Sequence, residues 1–216
     1  MSSVKTVIER PSAASILKAS SFSSATLHEA AGKKGALPSG IKPLSSSMKV
    51  CGPAVTVSSP PIDNIMLHEA IIAAQPGDVL IVEVSGVYEA GYWGDIMTKA
   101  AMERHIGGLI IDGCVRDGLD IIDMGFPVFS RGLCIQGTGK KGGGTINQPI
   151  QIGEVLIMPG DLIMADADGI VVIPRADVDE VLVNAQKRED DEKHISEELK
   201  TGKTTMEIYG WKSQLI

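Results

Sequence analysis

Two short apolar runs in the middle of the chain constrain its fold more than any other feature. The runs, Val79–Val82 and Leu109–Ile111, each have the length and composition of a strand that is buried on both faces. The apolar spacing between them predicts a helix from about Asp95 to His105. A strand, a helix and a second strand in close succession form a βαβ unit. Part of the sheet is therefore expected to be parallel, with a right-handed crossover.

The segments before this unit alternate between helix, loop and strand patterns. Two short helices are predicted within Ala13–Ala31, because a serine run interrupts the apolar positions, and Gly32 ends the second helix. The range 33–47 is rich in glycine and proline and is predicted to be a loop. Ala54–Val57 has the composition of a short strand, and the spacing over Asn64–Ala74 predicts a helix.

The carboxyl half of the chain has a different character. Strands are predicted at Phe126–Phe129, Val155–Met158, Leu162–Ala165 and Ile170–Ile173. Turns separate the last three, so they are interpreted as an antiparallel section. The final segment, Ala176–Lys200, begins with apolar residues on one face and many charges elsewhere, which predicts a surface helix.

The length of the chain favours one domain with an appendage. At roughly 150 residues per domain, 216 residues correspond to about 1.4 domains. We expect an α/β core domain over residues 1–175 and a helical arm over residues 176–216. The range 188–198 of this arm is almost wholly polar. Such a helix is typical either of a solvated arm or of one that docks on another subunit, and the sequence leaves both interpretations open.

Charge and cysteine content argue against several partners and compartments. The net charge of −7, without a basic cluster, argues against binding to nucleic acid or to an anionic membrane. The sequence has neither an amino-terminal signal pattern nor about 18 consecutive apolar residues. Cys51, Cys114 and Cys134 are too few and too widely spaced for a disulfide framework or a zinc motif. These features predict a cytoplasmic protein with reduced thiols.

The segment Gly91-Tyr92-Trp93-Gly94-Asp95 lies where a loop meets the amino end of the predicted helix. Its two glycines allow a tight turn that exposes backbone N–H groups, and the helix dipole adds partial positive charge. The segment therefore suits a carboxylate or a phosphate. Gly94 and Asp95 are equally compatible with an ordinary helix cap.

Arg116 and Asp117 come shortly after the second buried strand. Twenty residues lie between Asp95 and Arg116. Ligands of parallel sheets bind at the carboxyl ends of strands, and the intervening helix returns the chain to that edge. Two interpretations remain open. The arginine and the two aspartates form a structural ion pair, or the aspartates hold Mg²⁺ or Mn²⁺ while Arg116 binds an oxyanion.

The combination of Asp95 with Arg116-Asp117 at this spacing resembles the motif of one enzyme family. It is similar to the 4-hydroxy-4-methyl-2-oxoglutarate / 4-carboxy-4-hydroxy-2-oxoadipate aldolases, in the superfamily named for the regulator of ribonuclease activity A. The resemblance extends over about residues 25–195. Further matching segments are His28-Glu29-Ala30, Asp63-Asn64, His68, Gly77-Asp78, Phe126-Pro127-Val128, Asn147, Pro149-Ile150, Pro159-Gly160-Asp161, Ala165-Asp166, Asp168-Gly169 and Ala185-Gln186-Lys187-Arg188-Glu189.

This resemblance implies a class II pyruvate aldolase that also decarboxylates oxaloacetate. It implies an α-β-β-α sandwich with a mixed sheet, assembled as homotrimers or homohexamers. The substrate would be a 4-hydroxy-2-oxo acid from the degradation of aromatic compounds, cleaved to pyruvate and a second 2-oxo acid. The implied cofactor is Mg²⁺ or Mn²⁺.

The resemblance also implies roles for individual residues. Asp117 corresponds to the direct metal ligand and Asp95 to a ligand that acts through metal-bound water. Arg116 would stabilise the negative charge on the C2 oxygen of the enolate. Backbone amides from Gly91 to Gly94 would hold the pyruvyl carboxylate. Glu192 corresponds to an acidic residue donated from the neighbouring subunit.

Two histidines have uncertain roles in this scheme. His28 is a candidate for a position over the site, but a single helix histidine is more often packed or capped. The same two interpretations apply to His68. The glycine run 142–144 resembles a flexible loop and lacks the following lysine of a phosphate-binding loop.

A second class of function competes with the enzyme. Members of the superfamily bind and inhibit an endoribonuclease without catalysis, and such a protein has no need of the carboxylate pair. Asp95 and Asp117 are both present, which favours the aldolase over a non-catalytic binding module. The sequence does not separate aldol cleavage from oxaloacetate decarboxylation as the main reaction, because both pass through one enolate.

Overall fold

Helices and short strands alternate along most of the chain. The computed structural model describes residues 3–4 and 7–212. Its strands are β1 (Ser3–Val4), β2 (Lys42–Pro43), β3 (Val50–Ser58), β4 (Val79–Glu83), β5 (Gly108–Ile111), β6 (Cys114–Val115), β7 (Val128–Ser130), β8 (Gly132–Leu133), β9 (Thr145–Ile146), β10 (Ile150–Ile152), β11 (Val155–Ile157), β12 (Leu162–Ala165) and β13 (Ile170–Ile173). Its α-helices are α1 (Ala13–Ser20), α2 (Ser24–Ala30), α3 (Ile65–Ala73), α4 (Asp95–Glu103), α5 (Gly118–Met124), α6 (Val178–Lys200) and α7 (Thr205–Ile208).

The predicted parallel strands form the centre of a mixed sheet. β3, β4, β5 and β7 lie side by side in this order and run parallel, and α3, α4 and α5 lie between them in sequence. β3 is longer than predicted because it has two partners along its length. Its first half, Val50–Pro53, pairs antiparallel with β12, and its second half, Ala54–Ser58, pairs with β4. The pairing partner of β3 therefore changes from β12 to β4 midway along the strand.

Three apolar clusters separate four layers. In β4, Leu80 and Val82 face the cluster beneath α3, α4 and α5, whereas Val79 and Ile81 face the cluster shared with β12 and β13. The third cluster lies between β12–β13 and the helices α1, α2 and α6. The order of layers is helix, strand, strand, helix, so the predicted α-β-β-α sandwich is confirmed. The carboxyl-terminal strands β12 and β13 are antiparallel, as expected.

Serine side chains explain why the amino-terminal segment forms two helices. The Ser12 hydroxyl accepts a hydrogen bond from the Ser15 N–H at 3.0 Å, and the Ser23 hydroxyl accepts one from the Thr26 N–H at 3.0 Å. Each serine therefore satisfies a free donor at the start of a helix, α1 or α2.

Several short elements were not expected from the sequence, among them β2 and α5. The predicted loop 33–47 contains β2, which pairs antiparallel with β7. The helix α5 is only seven residues long, begins with a glycine and immediately follows Asp117. It was missed because seven residues make only about two helical turns, which is too short to reveal a helical period.

The helix α6 has two different halves. Val178, Val181, Leu182 and Ala185 are buried in the third cluster. The range 186–200 contains no buried residue, in keeping with its polar composition. No helix within residues 7–212 is long and apolar enough to cross a membrane.

Candidate active site

The structure brings Asp95, Arg116 and Asp117 together at the carboxyl end of the parallel strands. Asp95 is the first residue of α4, and Arg116 and Asp117 directly follow β6. The backbone N–H of Asp95 donates to Oδ2 of Asp117 over 3.2 Å, which joins the two segments. Asp117 has a positive φ of 57°, a conformation that Asp and Asn adopt more readily than most residues.

Gly91 and Gly94 are required by close packing around these residues. A Cβ atom on Gly94 would lie 2.4 Å from Oδ2 of Asp117, and one on Gly91 would lie 2.7 Å from the carbonyl oxygen of Cys134. Both distances are shorter than a van der Waals contact between a carbon atom and an oxygen atom. The glycines therefore let the loop before α4 approach the segment after β6.

Arg116 presents a half-exposed guanidinium beside the two carboxylates. Its Nε lies 3.5 Å from Oδ2 of Asp117, and its side chain is 51% exposed. Its backbone N–H donates to the carbonyl oxygen of Trp93 over 2.9 Å, which fixes the main chain. A guanidinium held by one long ion pair retains most of its donors for an anion in the adjoining space.

Lys99 forms an ion pair with Asp95, a contact that was not predicted from the sequence. Its Nζ lies 2.8 Å from Oδ2 of Asp95, one helical turn away on α4. The hydrogen bond from Lys99 lowers the pKa of Asp95, so this carboxylate is ionised at neutral pH. Lys99 thus supplies positive charge next to the carboxylate pair.

A cavity of about 320 Å³ adjoins this group and adds residues to the site. One wall carries Asp95 and Arg116 with the loop before α4, and another carries Asn64, His68 and Lys140. Asn64 and Lys140 are not among the site residues predicted from the sequence. One indication for Asn64 was present in the sequence, because Asp63-Asn64 is among the segments that resemble the aldolase family.

Lys140 and Asn64 are joined although 76 positions separate them in the sequence. The Lys140 ammonium donates to Oδ1 of Asn64, and Nδ2 of Asn64 donates to the carbonyl oxygen of Tyr92 over 2.8 Å. Asn64 is therefore fixed on both sides and holds the lysine at the cavity. Burial lowers the pKa of His68, and the charge of Lys140 lowers it further.

The carboxylate-binding prediction for Gly91 to Gly94 needs a correction. The N–H of Gly91 donates to the Gln136 carbonyl at 2.8 Å, and that of Tyr92 donates to the carbonyls of Ala90 and Cys114. These two amides are therefore engaged inside the protein. Among the residues that the structure describes, none accepts a hydrogen bond from the N–H of Trp93 or Gly94.

The side chains of Tyr92 and Trp93 belong to the core and do not line the site with polar atoms. Both are fully buried. The Tyr92 hydroxyl accepts from the Ile62 N–H and donates to the Val87 carbonyl, and the indole of Trp93 donates to the Thr98 hydroxyl. Trp93 can therefore offer a ligand only its backbone N–H, and Tyr92, whose N–H and carbonyl are both engaged, offers none.

His28 and Glu192 lie away from this cavity in the same chain. His28 is on α2, in the helix layer beyond β12 and β13, and lines a separate cavity. Its expected position over the site is therefore wrong within one chain, because α2 packs on the opposite side of the sandwich. Glu192 is on α6 and lines a third cavity with Glu29 and Arg188. A role for Glu192 requires a second copy of the chain, as the prediction states.

The donor set fits a hard divalent cation that keeps several water ligands. Within residues 7–212, no three His, Cys, Asp or Glu side chains are grouped as a complete metal cage. The two neighbouring carboxylates, Asp95 and Asp117, suit Mg²⁺, which binds through one or two carboxylates together with water and substrate oxygens. Mn²⁺ prefers the same oxygen ligands.

The fold and the site define an α/β sandwich protein with two carboxylates and an arginine at the carboxyl end of its parallel strands. Comparison with known proteins makes the assignment more specific. The model of the RraA-like family, described as Aldolase/RraA, matches residues 14–172. The chain therefore belongs to the RraA-like family.

One relative and two solved structures are similar over most of their length. The relative, from Halalkalibacterium halodurans, is named "Putative 4-hydroxy-4-methyl-2-oxoglutarate aldolase" and is 40% identical over 156 residues, which are 72% of this chain and 74% of that protein. An uncharacterised Pseudomonas syringae protein is 31% identical, with a TM-score of 0.79 and coverage of 91% of this chain and 97% of its own. Streptomyces coelicolor RraAS2, described as an unusual member of the RNase ES inhibitor RraA protein family, is 29% identical, with a TM-score of 0.78 and coverage of 88% and 99%.

Proposed function

We propose that the chain is a class II pyruvate aldolase that depends on Mg²⁺ or Mn²⁺. Its substrate would be 4-hydroxy-4-methyl-2-oxoglutarate or 4-carboxy-4-hydroxy-2-oxoadipate, cleaved to pyruvate and a second 2-oxo acid in the breakdown of aromatic compounds. Oxaloacetate decarboxylation would follow from the same chemistry. The observation that carries the proposal is that Asp95 and Arg116 line one cavity and that Asp117 contacts both of them. The name of the Halalkalibacterium relative supports the substrate class.

Both reactions move an electron pair to the C2 oxygen of the substrate. In aldol cleavage the C4 hydroxyl loses its proton to water, C4 becomes a carbonyl and the C3–C4 bond breaks. In decarboxylation the bond from C3 to the carboxylate breaks and CO2 leaves. Either step leaves the enolate of pyruvate, whose new negative charge is the costly feature. The divalent cation supplies Lewis-acid stabilisation of this charge when bound.

Residues of the chain would bind the cation, stabilise the enolate and hold the substrate carboxylate. Asp117 would hold the cation directly, and Asp95 would hold it through water and orient the water that returns a proton to C3. Arg116 places a guanidinium beside the C2 oxygen, where charge develops. The N–H groups of Trp93 and Gly94, at the start of α4, bind the C1 carboxylate of the substrate.

Lys140 gives the cavity a second place for a carboxylate. It lines the same cavity as Arg116, and Asn64 fixes its ammonium group. A substrate with a carboxylate at each end would therefore place one end near the amides before α4 and the other near Lys140. This arrangement favours dicarboxylic over monocarboxylic 2-oxo acids.

A second copy of the chain would complete the site. Exposed apolar side chains lie on the elements around it, namely Ile96 on α4, Leu119 on α5, Leu133 on β8 and Ile135 just beyond. Such a group of apolar side chains is typical of a covered surface. In a homotrimer or homohexamer, α6 would supply Glu192 to the neighbouring site.

The direct test of this function is pyruvate release. Purified protein is incubated with Mg²⁺ or Mn²⁺ and a panel of 2-oxo acids that includes oxaloacetate and 4-hydroxy-4-methyl-2-oxoglutarate, and pyruvate is followed in a coupled assay. We expect release from the dicarboxylic substrates, loss of release with EDTA and recovery on adding excess metal. Equal rates with and without EDTA would show that the metal assignment is wrong.

Lys140→Met is expected to raise the KM for 4-hydroxy-4-methyl-2-oxoglutarate about 10- to 100-fold. A charge-assisted hydrogen bond contributes roughly 1.5–3 kcal/mol, and 1.4 kcal/mol corresponds to a factor of ten. The measurement is steady-state kinetics at saturating metal. Lys141→Met is the matched control, because the adjacent lysine does not line the cavity, and its KM should stay at the wild-type value. Equal KM values for the two variants would remove Lys140 from the site.

Mixed oligomers test the donation of Glu192 between subunits. Asp117→Asn and Glu192→Gln chains are each expected to have low activity alone and to recover part of it when co-expressed and purified together. Recovery follows because one interface then combines an intact Asp117 from one chain with an intact Glu192 from the other. Asp117→Asn mixed with Arg116→Ala is the control, since both changes affect the same half of the site. Recovery in the control alone, or in neither mixture, would contradict donation between subunits.

A non-catalytic role is the second candidate function. The likeness to Streptomyces coelicolor RraAS2, described as a member of an RNase ES inhibitor family, favours a ribonuclease-binding module. The intact set of Asp95, Arg116 and Asp117 favours the enzyme, because a binding module does not need it. Inhibition of a purified endoribonuclease without any release of pyruvate would support the second candidate.

A further inference from the structure

Asp63 is a buried carboxylate that the proposed chemistry does not use. Its side chain lies among backbone N–H donors, and the residue is only 4% exposed. Oδ1 accepts hydrogen bonds from the N–H groups of Ile65 at 3.0 Å and Gly142 at 3.3 Å, and Oδ2 accepts one from Lys141 at 2.5 Å. One carboxylate therefore joins the start of α3 to a segment almost 80 positions later in the sequence.

The segment that Asp63 binds is the one that carries Lys140. Just before this lysine, the N–H of Gly139 donates to the Ile62 carbonyl over 2.7 Å, and Asn64 donates its N–H to Gly139. Just after it, Asp63 accepts from Lys141 and Gly142. The backbone is thus held on both sides of Lys140.

In this segment, a run of three glycines follows Lys141. Gly142, Gly143 and Gly144 all have positive φ angles, and a glycine run loses more conformational entropy on ordering than other sequences do. Hydrogen bonds to an ionised carboxylate are stronger than those between neutral groups. Burial raises the pKa of Asp63, but the three backbone hydrogen bonds and the charge of Lys140 outweigh it, so its pKa is lowered overall.

We propose that Asp63 is the positioning residue for Lys140, because its bonds to the N–H groups of Lys141 and Gly142 hold the glycine-rich segment 137–145 against the cavity. This inference rests on the proposed function, in which Lys140 binds the second carboxylate of the substrate. Asp63 itself does not line the cavity. Its effect on substrate selection acts through Lys140.

The alternative role for Asp63 is purely local, as a cap at the start of α3. Asp63→Ser separates the two roles. A serine hydroxyl still reaches the N–H two residues ahead, as in a serine turn, but it is too short to bind the segment across the gap. Asp161→Asn is the control, since Asp161 is another buried aspartate that accepts backbone N–H bonds, from Met158 and Arg175, and it lines a different cavity.

The experiment measures three quantities on each full-length variant with Mg²⁺ present. They are the KM for 4-hydroxy-4-methyl-2-oxoglutarate, the rate at which the C3 protons of pyruvate exchange with D2O, and backbone hydrogen exchange in 137–145. For Asp63→Ser we expect about a tenfold rise in KM, an exchange rate of pyruvate within about twofold of wild type, and faster backbone exchange in the segment. Asp161→Asn should change none of the three.

A double variant connects Asp63 to Lys140 directly. If Asp63 acts through Lys140, Asp63→Ser adds no further rise in KM to the Lys140→Met variant, because the group it positions is already gone. Additive increases, or an unchanged KM in Asp63→Ser despite faster backbone exchange, would overturn the proposal. Failure of the wild-type protein to exchange pyruvate protons is a different result, which would refute the proposed function and this inference with it.

Discussion

Asp117→Asn should lower the rate of pyruvate release at least about 100-fold, because the cation would lose its directly bound charged ligand. Asp95 cannot replace it, since its Oδ2 is already paired with Lys99. Asparagine tolerates the positive φ at this position, and its carbonyl oxygen still accepts the N–H of Asp95. The variant should therefore fold normally, with an unchanged melting temperature, and the loss should appear in kcat/KM and in the affinity for Mn²⁺ measured by calorimetry.

The control for this change is Asp123→Asn, an exposed aspartate near the end of α5. It removes the same charge from the same helix region but not from the carboxylate pair. We expect wild-type kinetics and wild-type Mn²⁺ affinity. If Asp117→Asn retains full Mn²⁺ affinity and turnover, the cation does not bind where the account places it.

Gly94→Ala is expected to reduce activity about 10- to 100-fold without removing any functional side chain. The new Cβ would lie 2.4 Å from Oδ2 of Asp117, so the carboxylate has to move away from Asp95 and Arg116. A displacement of about 1 Å at reacting groups is enough for a loss of this size. The backbone itself accepts alanine, because φ at Gly94 is −153°.

Gly137→Ala is the matched control for Gly94→Ala. Gly137 lines the same cavity, yet a Cβ atom there meets no atom within 4 Å. We expect kinetics close to those of wild type. Similar losses in both variants would mean that the tight contact between Gly94 and Asp117 is not what matters.

The sequence was sufficient to predict the layers of the fold but not its shortest elements. The runs around Leu80 and Ile110 carry a strong local signal because they are buried on both faces. β2 and β6 are two residues long, and their hydrogen bonds come from partners distant in sequence. No local pattern encodes such pairings.

Only the residues around the carboxylate pair could be predicted from the sequence. Asp95, Arg116 and Asp117 follow from the βαβ arrangement, since the carboxyl ends of parallel strands share an edge. Asn64 and Lys140 reach the same cavity through a hydrogen bond between distant segments, which sequence spacing does not reveal. The amides of Gly91 and Tyr92 were assigned to a ligand because their carbonyl partners, also non-local, could not be foreseen.

The measurement that tests the central claim most directly is the exchange of the C3 protons of pyruvate with D2O, followed by proton NMR. It reports formation of the enolate alone, independently of which larger substrate the protein cleaves. We expect the methyl signal to decay with wild-type protein and Mg²⁺ or Mn²⁺, and to persist with EDTA or with Arg116→Ala. Undiminished exchange in Arg116→Ala, or no exchange by the wild-type protein with either metal, would contradict the claim that this site stabilises the enolate of pyruvate.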